Sequence, residues 1–282
     1  MVEEFSQSIR KELDFKIEWR SADRFRTMFE GSKSVFIPEV LWEISGSHIL
    51  TIEYAPGKRI TETDGDALYR HTLAKLFSDS YLVQIFEHGF FHADPHPGNV
   101  FVLDDGRICF HDFGIMGRLD DEMMDNLAGL FLAVIDKDIV RLMDIYLETG
   151  IVIGEFDQKA LKKDMREFME GYYDVPLKDF SFAEFVNGLI SLGRRHHVKI
   201  PTDMLLFGKA FMTVESIVRT LDPEFNLVEN MRPYTQQLLR KKLFEPARIY
   251  RDMVKIGLEM SSLLRGLPRE LHHIIKRIRE GR

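Results

Sequence analysis

The chain is poor in cysteine, in long uncharged apolar runs and in any leader-like start, and each shortage excludes a class of protein. Cys109 is the only cysteine among 282 residues, which rules out an intrachain disulfide and a cysteine-rich zinc site and makes a reducing compartment the natural setting. The opening MVEEFSQSIRK is charged and polar, unlike a secretory signal. The longest uncharged apolar runs, such as residues 127–135, fall far short of the roughly 20 residues that cross a bilayer. A cytoplasmic protein is therefore expected, with membrane contact at most peripheral. Positive charge is also scarce over most of the chain. The net charge is −7, yet residues 240–282 hold twelve Lys and Arg against five Asp and Glu, a local +7 that leaves −14 on residues 1–239. No nucleic-acid partner is expected of the acidic bulk, while the basic end suits an anionic surface.

What is present is ordinary for a globular protein, with 45% hydrophobic and 29% charged residues and enough length for a sizeable core. Residues 3–29 have helical character, with Ile9, Leu13, Ile17 and Phe25 near one stripe. Residues 40–44 and 48–54 read as two strands joined by Ser45-Gly46, with Val40, Trp42 and Ile44 alternating. Residues 66–88 read as a long helix stopped at Gly89, and 100–103 with 107–110 as a hairpin turning at Asp104-Asp105-Gly106. From about Asp120 the strand signals disappear, and successive amphipathic runs broken near Gly150, Gly154, Pro176 and Pro201 predict a helical bundle. A last apolar stripe begins at Ile249, Met253 and Ile256 and continues to Ile278, with a break at Gly266 and Pro268. It either packs on the core or lies on a membrane surface through its cationic face.

One constellation carries chemistry. His92-Ala93-Asp94-Pro95-His96-Pro97-Gly98-Asn99 follows the long helix and precedes the hairpin, and Asp112-Phe113-Gly114 follows the hairpin. Singly, such residues often cap turns. In this order around a strand-turn-strand, they resemble the H-x-D-x-x-x-x-N catalytic loop and D-F-G metal loop of protein kinases. Phosphoryl transfer needs a carboxylate beside the attacking oxygen and ligands that hold Mg2+ against the nucleotide phosphates. Asp94 suits the first task, Asn99 and Asp112 the second, and His92 would anchor the loop through a hydrogen bond. His96 either lines the site or bonds within its loop, and Cys109 reads as a small buried residue. Ala93 stands where many protein kinases carry an arginine, and the segment after Gly114 is short and lacks A-P-E. A small or lipidic acceptor, or plain ATP hydrolysis, suits such a site better than a protein substrate.

Three passages are similar to the UbiB/AarF family of atypical kinase-like proteins. They are Glu12-Leu13-Asp14, which resembles its E-x-D signature, the H-A-D-P-H-P-G-N loop, and Leu221-Asp222-Pro223-Glu224-Phe225-Asn226. The last separates the chain from aminoglycoside- and choline-type phosphotransferases, the first competing reading; a non-catalytic kinase-fold binding protein is the second. The resemblance implies an α+β, protein-kinase-like fold with a reduced N-terminal sheet and an enlarged, mainly α-helical C-lobe. It divides the chain into a partial N-lobe over 1–55, a C-lobe over 56–235 and basic amphipathic helices over 236–282. It further implies binding of ATP and Mg2+ and a role in ubiquinone or other prenyl-lipid metabolism, with a prenyl-lipid or quinone precursor as partner. By the same resemblance, Glu12 pairs with a nucleotide-binding lysine, Asp14 is the second acid of the signature, and backbone groups of Glu53 and Ala55 face adenine. Family members carry a K-x-G-Q motif, an alanine-rich loop and the lysine-bearing strand ahead of this region, and many end in transmembrane helices. None of these is found in residues 1–282, so a chain trimmed at both ends, with poor ATP turnover, is expected.

Overall fold

A computed structural model describes residues 15–152, 157–172, 175–176 and 179–243. The fold is α+β. The chain divides into two compact units, Met1–Gln236 and Gln237–Arg282, and the account below concerns the first. The basic stretch after residue 243 lies outside the described residues.

Helix α1, Phe15–Met28, turns its buried side at Ala22 and Phe25. Phe25 is fully buried against Phe90, Phe110 and Phe113, with ring centroids 6.4, 5.6 and 5.3 Å away. This contact sets the helix's rotation and corrects the expected stripe. Eight residues at about 100° each leave Ile17 some 80° away from Phe25, and Ile17 is 45% exposed. Ile9 and Leu13 lie outside the described residues.

The expected hairpin over residues 40–54 is also corrected. A single Val40–Ile52 bridge forms, and Trp42–Ile44 is a 3-10 turn. The cause is local, because Ser45 competes with the ladder. Its Oγ donates to the Leu41 carbonyl at 2.8 Å and accepts from the Thr51 N–H at 2.9 Å. Trp42 and Ile44 consequently stand 40% and 62% exposed instead of alternating into a core.

The main sheet is built around the second hairpin, as expected from its turn. Strands β4 (Val100–Leu103) and β5 (Ile108–Phe110) pair antiparallel, with Gly106 at φ +84° in the turn. Strand β1 (Val35–Phe36) joins β5 in parallel and β2 (Gly57–Arg59) joins β4 antiparallel, giving the order β1-β5-β4-β2. Helix α2, Ala67–Phe86, is capped by Asp66, whose carboxylate accepts from the Tyr69 N–H. Gly89 then adopts φ +55°, and the chain turns into β3, Phe90–His92. Strand β6, Met116–Arg118, pairs antiparallel with β3.

The C-terminal half is helical: α3 (Asp121–Ile135), α4 (Ile139–Thr149), α5 (Gln158–Glu170), α6 (Phe182–Arg195), α7 (Thr202–Leu221) and α8 (Leu227–Leu243). Strand signal does not vanish entirely, since β7 (Ile151–Val152) and β8 (Val198–Lys199) form a two-residue antiparallel pair. Both are too short for a periodic pattern to register. Buried Phe131, Phe182, Phe207 and Phe211 from α3, α6 and α7 meet in one aromatic cluster, the closest pair being Phe182 and Phe211 at 4.4 Å. Such ring pairs add about 0.5–1.5 kcal/mol each beyond the area they bury.

Helix α7 is fixed at several points. Glu215, 6% exposed, accepts the Phe182 and Ala183 backbone N–H groups at 3.1 and 3.0 Å, thereby satisfying the start of α6. Arg219 pairs with Glu215 and donates to the Phe180 carbonyl. At its end, Asp222 meets His71 of α2 at 2.6 Å while Arg70 donates to the Leu221 and Thr220 carbonyls. The Leu221-Asp222-Pro223 passage therefore ties α7 to the helix that precedes β3 and the loop at residues 93–99.

Candidate active site

Two loops lie side by side because both ends of each are paired. Residues 93–99 run from β3 to β4 and residues 111–115 from β5 to β6, while β3 pairs with β6 and β4 with β5. Cross-loop bonds close the frame: the Ala93 N–H donates to the Ile115 carbonyl at 3.0 Å, and the His111 N–H to the Asn99 carbonyl at 2.9 Å. Gly117 is required in this frame, because a Cβ there would lie 2.1 Å from the Phe91 ring.

His92 is fully buried and is bonded on every side. Its Nε2 donates to the His111 carbonyl at 2.9 Å, and its Nδ1 accepts from the Asp94 N–H at 3.2 Å. These partners require the neutral ring with its proton on Nε2. Burial accordingly holds the imidazole below its ordinary pKa. The backbone is held as well, with Gln84 Oε1 accepting from the His92 N–H and the Tyr81 hydroxyl donating to the His92 carbonyl. His92 thus positions the loop and reaches no open surface.

Asp94 is partly exposed at the loop's crest, and Asn99 Nδ2 donates to its carbonyl at 3.2 Å. His96 accepts the Gly98 N–H within the loop at 3.1 Å. Asp112 has the left-handed φ of +59°, uncommon for a residue with a side chain, and its Oδ1 accepts the Gly114 N–H at 3.2 Å. Phe113 is buried against Phe25 and His92, at 5.3 and 5.8 Å. Cys109 is fully buried, and its thiol is pushed up to about 12 by that burial, which excludes a thiolate nucleophile at neutral pH.

A family model for the ABC1 atypical kinase-like domain matches residues 1–146, and one for the UbiB helical domain matches residues 165–226. The chain belongs to the ABC1/UbiB family of atypical kinase-like proteins. An uncharacterised protein of Synechocystis sp. strain PCC 6803 is 30% identical over 285 residues, which cover 99% of this chain and 49% of that protein. A probable protein kinase UbiB of Xanthomonas campestris pv. campestris strain B100 is 30% identical over 291 residues, 100% of this chain and 52% of that one. The chain thus spans about half the length of the curated relatives it matches. The complex structure of Rv3197 with erythromycin from Mycobacterium tuberculosis superposes with a TM-score of 0.59 at 18% identity, over 84% of this chain and 60% of that one. That likeness supports the kinase-like fold.

Within the ABC1 frame, Glu12 and Asp14 lie outside the described residues. One acid of α1, Glu18, stands at the D-F-G loop. Glu18 precedes Phe25 by seven residues, which places it within about 20° of the same helical line. Its carboxylate takes a backbone hydrogen bond from Phe113, and its pKa is raised by burial and by the neighbouring charge of Asp112. The seven-residue spacing to Phe25 is the available signal, masked by a stripe that also takes in Ile17. Lys209 of α7, whose Nζ is 3.9 Å from Asp94 Oδ1, also escaped the sequence reading. It lies about 115 residues beyond its partner, and nothing local points to it. At the expected hinge, the Glu53 N–H is committed to the Glu39 carbonyl at 2.7 Å, and Ala55 is half-buried.

Among the described residues, no group of three or more His, Cys, Asp and Glu side chains forms a self-sufficient metal site. Mg2+ does not require such a group, since it is bound through one or two carboxylates and completed by substrate phosphates and water. Beyond burial, the charge of Asp112 raises Glu18, and such an ion would offset that negative charge.

Proposed function

We propose that this chain carries the catalytic half of a Mg2+-dependent, ATP-binding kinase-like protein that acts on a hydroxyl acceptor or on water in support of ubiquinone or other prenyl-lipid metabolism. The observation that carries this reading is the doubly clamped pair of loops, which holds the loop of Asp94 and Asn99 beside the loop of Asp112. In this reading, Asp94 accepts the proton of the attacking hydroxyl, and Asn99 and Asp112 hold the ion on the phosphates, with Glu18 beside them. Mg2+, when bound, neutralises phosphate charge and orients the transferred group. His92 keeps Asp94 in place through the bond from the Asp94 N–H to its Nδ1. The short link from Gly114 to α3, with β6 inside it, leaves no extended platform for a peptide and supports a small or lipidic acceptor. Among the described residues no helix is long and apolar enough to cross a membrane, and the basic residues after 243 are proposed to meet an anionic membrane surface.

The test separates binding from turnover. Asp112→Asn should weaken Mg2+-dependent ATP binding by about a hundredfold in calorimetry, since it removes one charge from a site with few protein ligands. Asp94→Asn should leave that affinity within about threefold while suppressing phosphate release. Unchanged Mg-ATP affinity in Asp112→Asn would remove that residue from the metal site, and equal losses of affinity in both variants would reverse the assigned roles.

A further inference from the structure

The catalytic and metal loops, residues 92–99 and 111–115, contain no Lys or Arg. Asp94, Asp112 and Glu18 nevertheless gather negative charge at the place where a triphosphate would have to react. Phosphoryl transfer spreads charge over the equatorial oxygens of the moving group, and a cation aimed at those oxygens lowers the barrier. The cation seen beside the catalytic aspartate comes from a different part of the chain. Lys209 of α7 places its Nζ 3.9 Å from Asp94 Oδ1, and the two side chains are 62% and 39% exposed.

Nothing in the packing of α7 needs this pair. The helix is held through Phe207 and Phe211 in the aromatic cluster, Glu215 at the start of α6, and Asp222 and the Leu221 carbonyl against α2. A pair this open and this long adds little to stability. Lys209 therefore sits on a rigid helix, with a solvated head at the mouth of the site and a loose hold on a carboxylate that the reaction itself must use. On α7 its neighbours four residues before and three after are Leu205 and Met212, neither of them charged, so no acid on the same helical face competes for it.

We propose that Lys209 is a catalytic residue, delivered to the kinase-like domain by the helical domain, that leaves Asp94 to contact the transferring phosphoryl oxygens. The proposal rests on the phosphotransferase or ATPase reading above. In the step, the acceptor oxygen of an alcohol or of water bonds to the terminal phosphorus, the bond to the bridging oxygen breaks, and the nucleoside diphosphate leaves. Asp94 takes the acceptor's proton. Lys209 exchanges no proton, and its ammonium stays charged throughout, offsetting charge on the moving group. It also orients Asp94 between turnovers.

The experiment uses the full 282-residue chain and compares wild type with Lys209→Ala and Lys209→Arg. Phosphate release from Mg-ATP, calorimetric binding of Mg-ATP, and binding of Mg-ADP with and without aluminium fluoride, a mimic of the transferring phosphoryl group, are measured side by side. Lys209→Ala should lower kcat by ~10²- to 10³-fold, the loss typical of removing one charge-stabilising donor, with KM and Mg-ATP affinity within about threefold. It should also abolish most of the added affinity that aluminium fluoride confers on Mg-ADP, and Lys209→Arg should restore part of both. Unchanged melting temperature in all three proteins would separate this from a folding effect. If the wild type binds Mg-ATP and Lys209→Ala matches it in turnover and in the aluminium fluoride increment, Lys209 is a surface charge and the proposal fails alone. Should the wild type bind nucleotide without measurable turnover, the aluminium fluoride increment decides by itself. If the wild type binds no Mg-nucleotide, the functional reading fails and takes this proposal with it.

Discussion

The paired loops at residues 93–99 and 111–115 and the segment at residues 40–54 lie on the same polypeptide and are held to very different degrees. Each loop is anchored by strands at both ends, by cross-loop backbone bonds, and by a buried His92 whose ring and backbone groups all have partners. The 40–54 segment has one ladder bridge and presents Trp42, Ile44, Ile49 and Tyr54 to solvent, Tyr54 at 85% exposure. The difference follows from where burial is available. The loops rest on Phe25, Phe90 and Phe110, and the buried ring and backbone of His92 found their partners inside the protein. Residues 40–54 face water, and serine hydroxyls could replace ladder bonds at little cost. The first kind of ground is what chemistry of fixed geometry requires, while the second kind is suited to adjustment.

The comparison can be broken most sharply in the core beneath the loops. Phe25→Ala should lower the unfolding free energy by about 3–5 kcal/mol, because it opens a cavity beneath both the catalytic and the D-F-G loop. Ile44→Ser, in the open segment, should change it by less than about 0.5 kcal/mol. Urea unfolding of both variants checks this, and similar losses would show that the open segment is packed more tightly than its exposure suggests.

A second effect depends on pH. His92 is neutral in the fold, and burial holds its pKa below the ordinary value of about 6.5. On acidification the unfolded chain takes up this proton first. Stability from this residue is therefore intact above about pH 6.5 and is lost as the pH falls below that value toward the depressed folded pKa. His111 is lowered for the same reason and adds in the same direction. Melting temperatures between pH 7.5 and 5.5 should fall more steeply for the wild type than for His92→Asn, although the variant is less stable throughout. Parallel slopes would assign the acid sensitivity to other groups.

The smallest expected effect is at Glu18. A carboxyl whose folded pKa is raised loses stabilisation as the pH climbs from its unfolded value through the folded one, so at pH 7 its charge, partly buried and beside Asp112, works against the fold. Glu18→Gln should raise the melting temperature slightly in metal-free buffer and should shrink the further rise produced by Mg2+. A melting temperature that falls on substitution would mean that the Phe113 hydrogen bond outweighs the repulsion.

How much of this was legible beforehand depended on distance along the chain. The α2 helix with its Gly89 stop, the β4-β5 hairpin with its Asp-Gly turn, and the Asp120 start of α3 are local features. Each is written in a window of a few residues, and each formed where it was expected. The order His92, Asp94, Asn99, Asp112 was legible for the same reason, since one hairpin brings the two loops together. Legibility failed where two local signals competed, as at Ser45, whose hydroxyl took the bonds that alternation at Val40, Trp42 and Ile44 had assigned to a ladder. It failed again at α1, where a helical stripe has no absolute phase until a partner fixes it; Phe25 against Phe90 and Phe110 fixed it and turned Glu18 inward.

By itself, then, the sequence determined which short elements carry His92, Asp94, Asn99 and Asp112, because turn, cap and strand preferences act within a few residues of the groups they position. Only the tertiary structure decided that β3 and β6 clamp the two loops at their far ends, that His92 is a buried neutral anchor, and that Lys209 stands beside Asp94. Those choices depend on burial and on contacts between residues far apart along the chain, and no pattern confined to one segment encodes them.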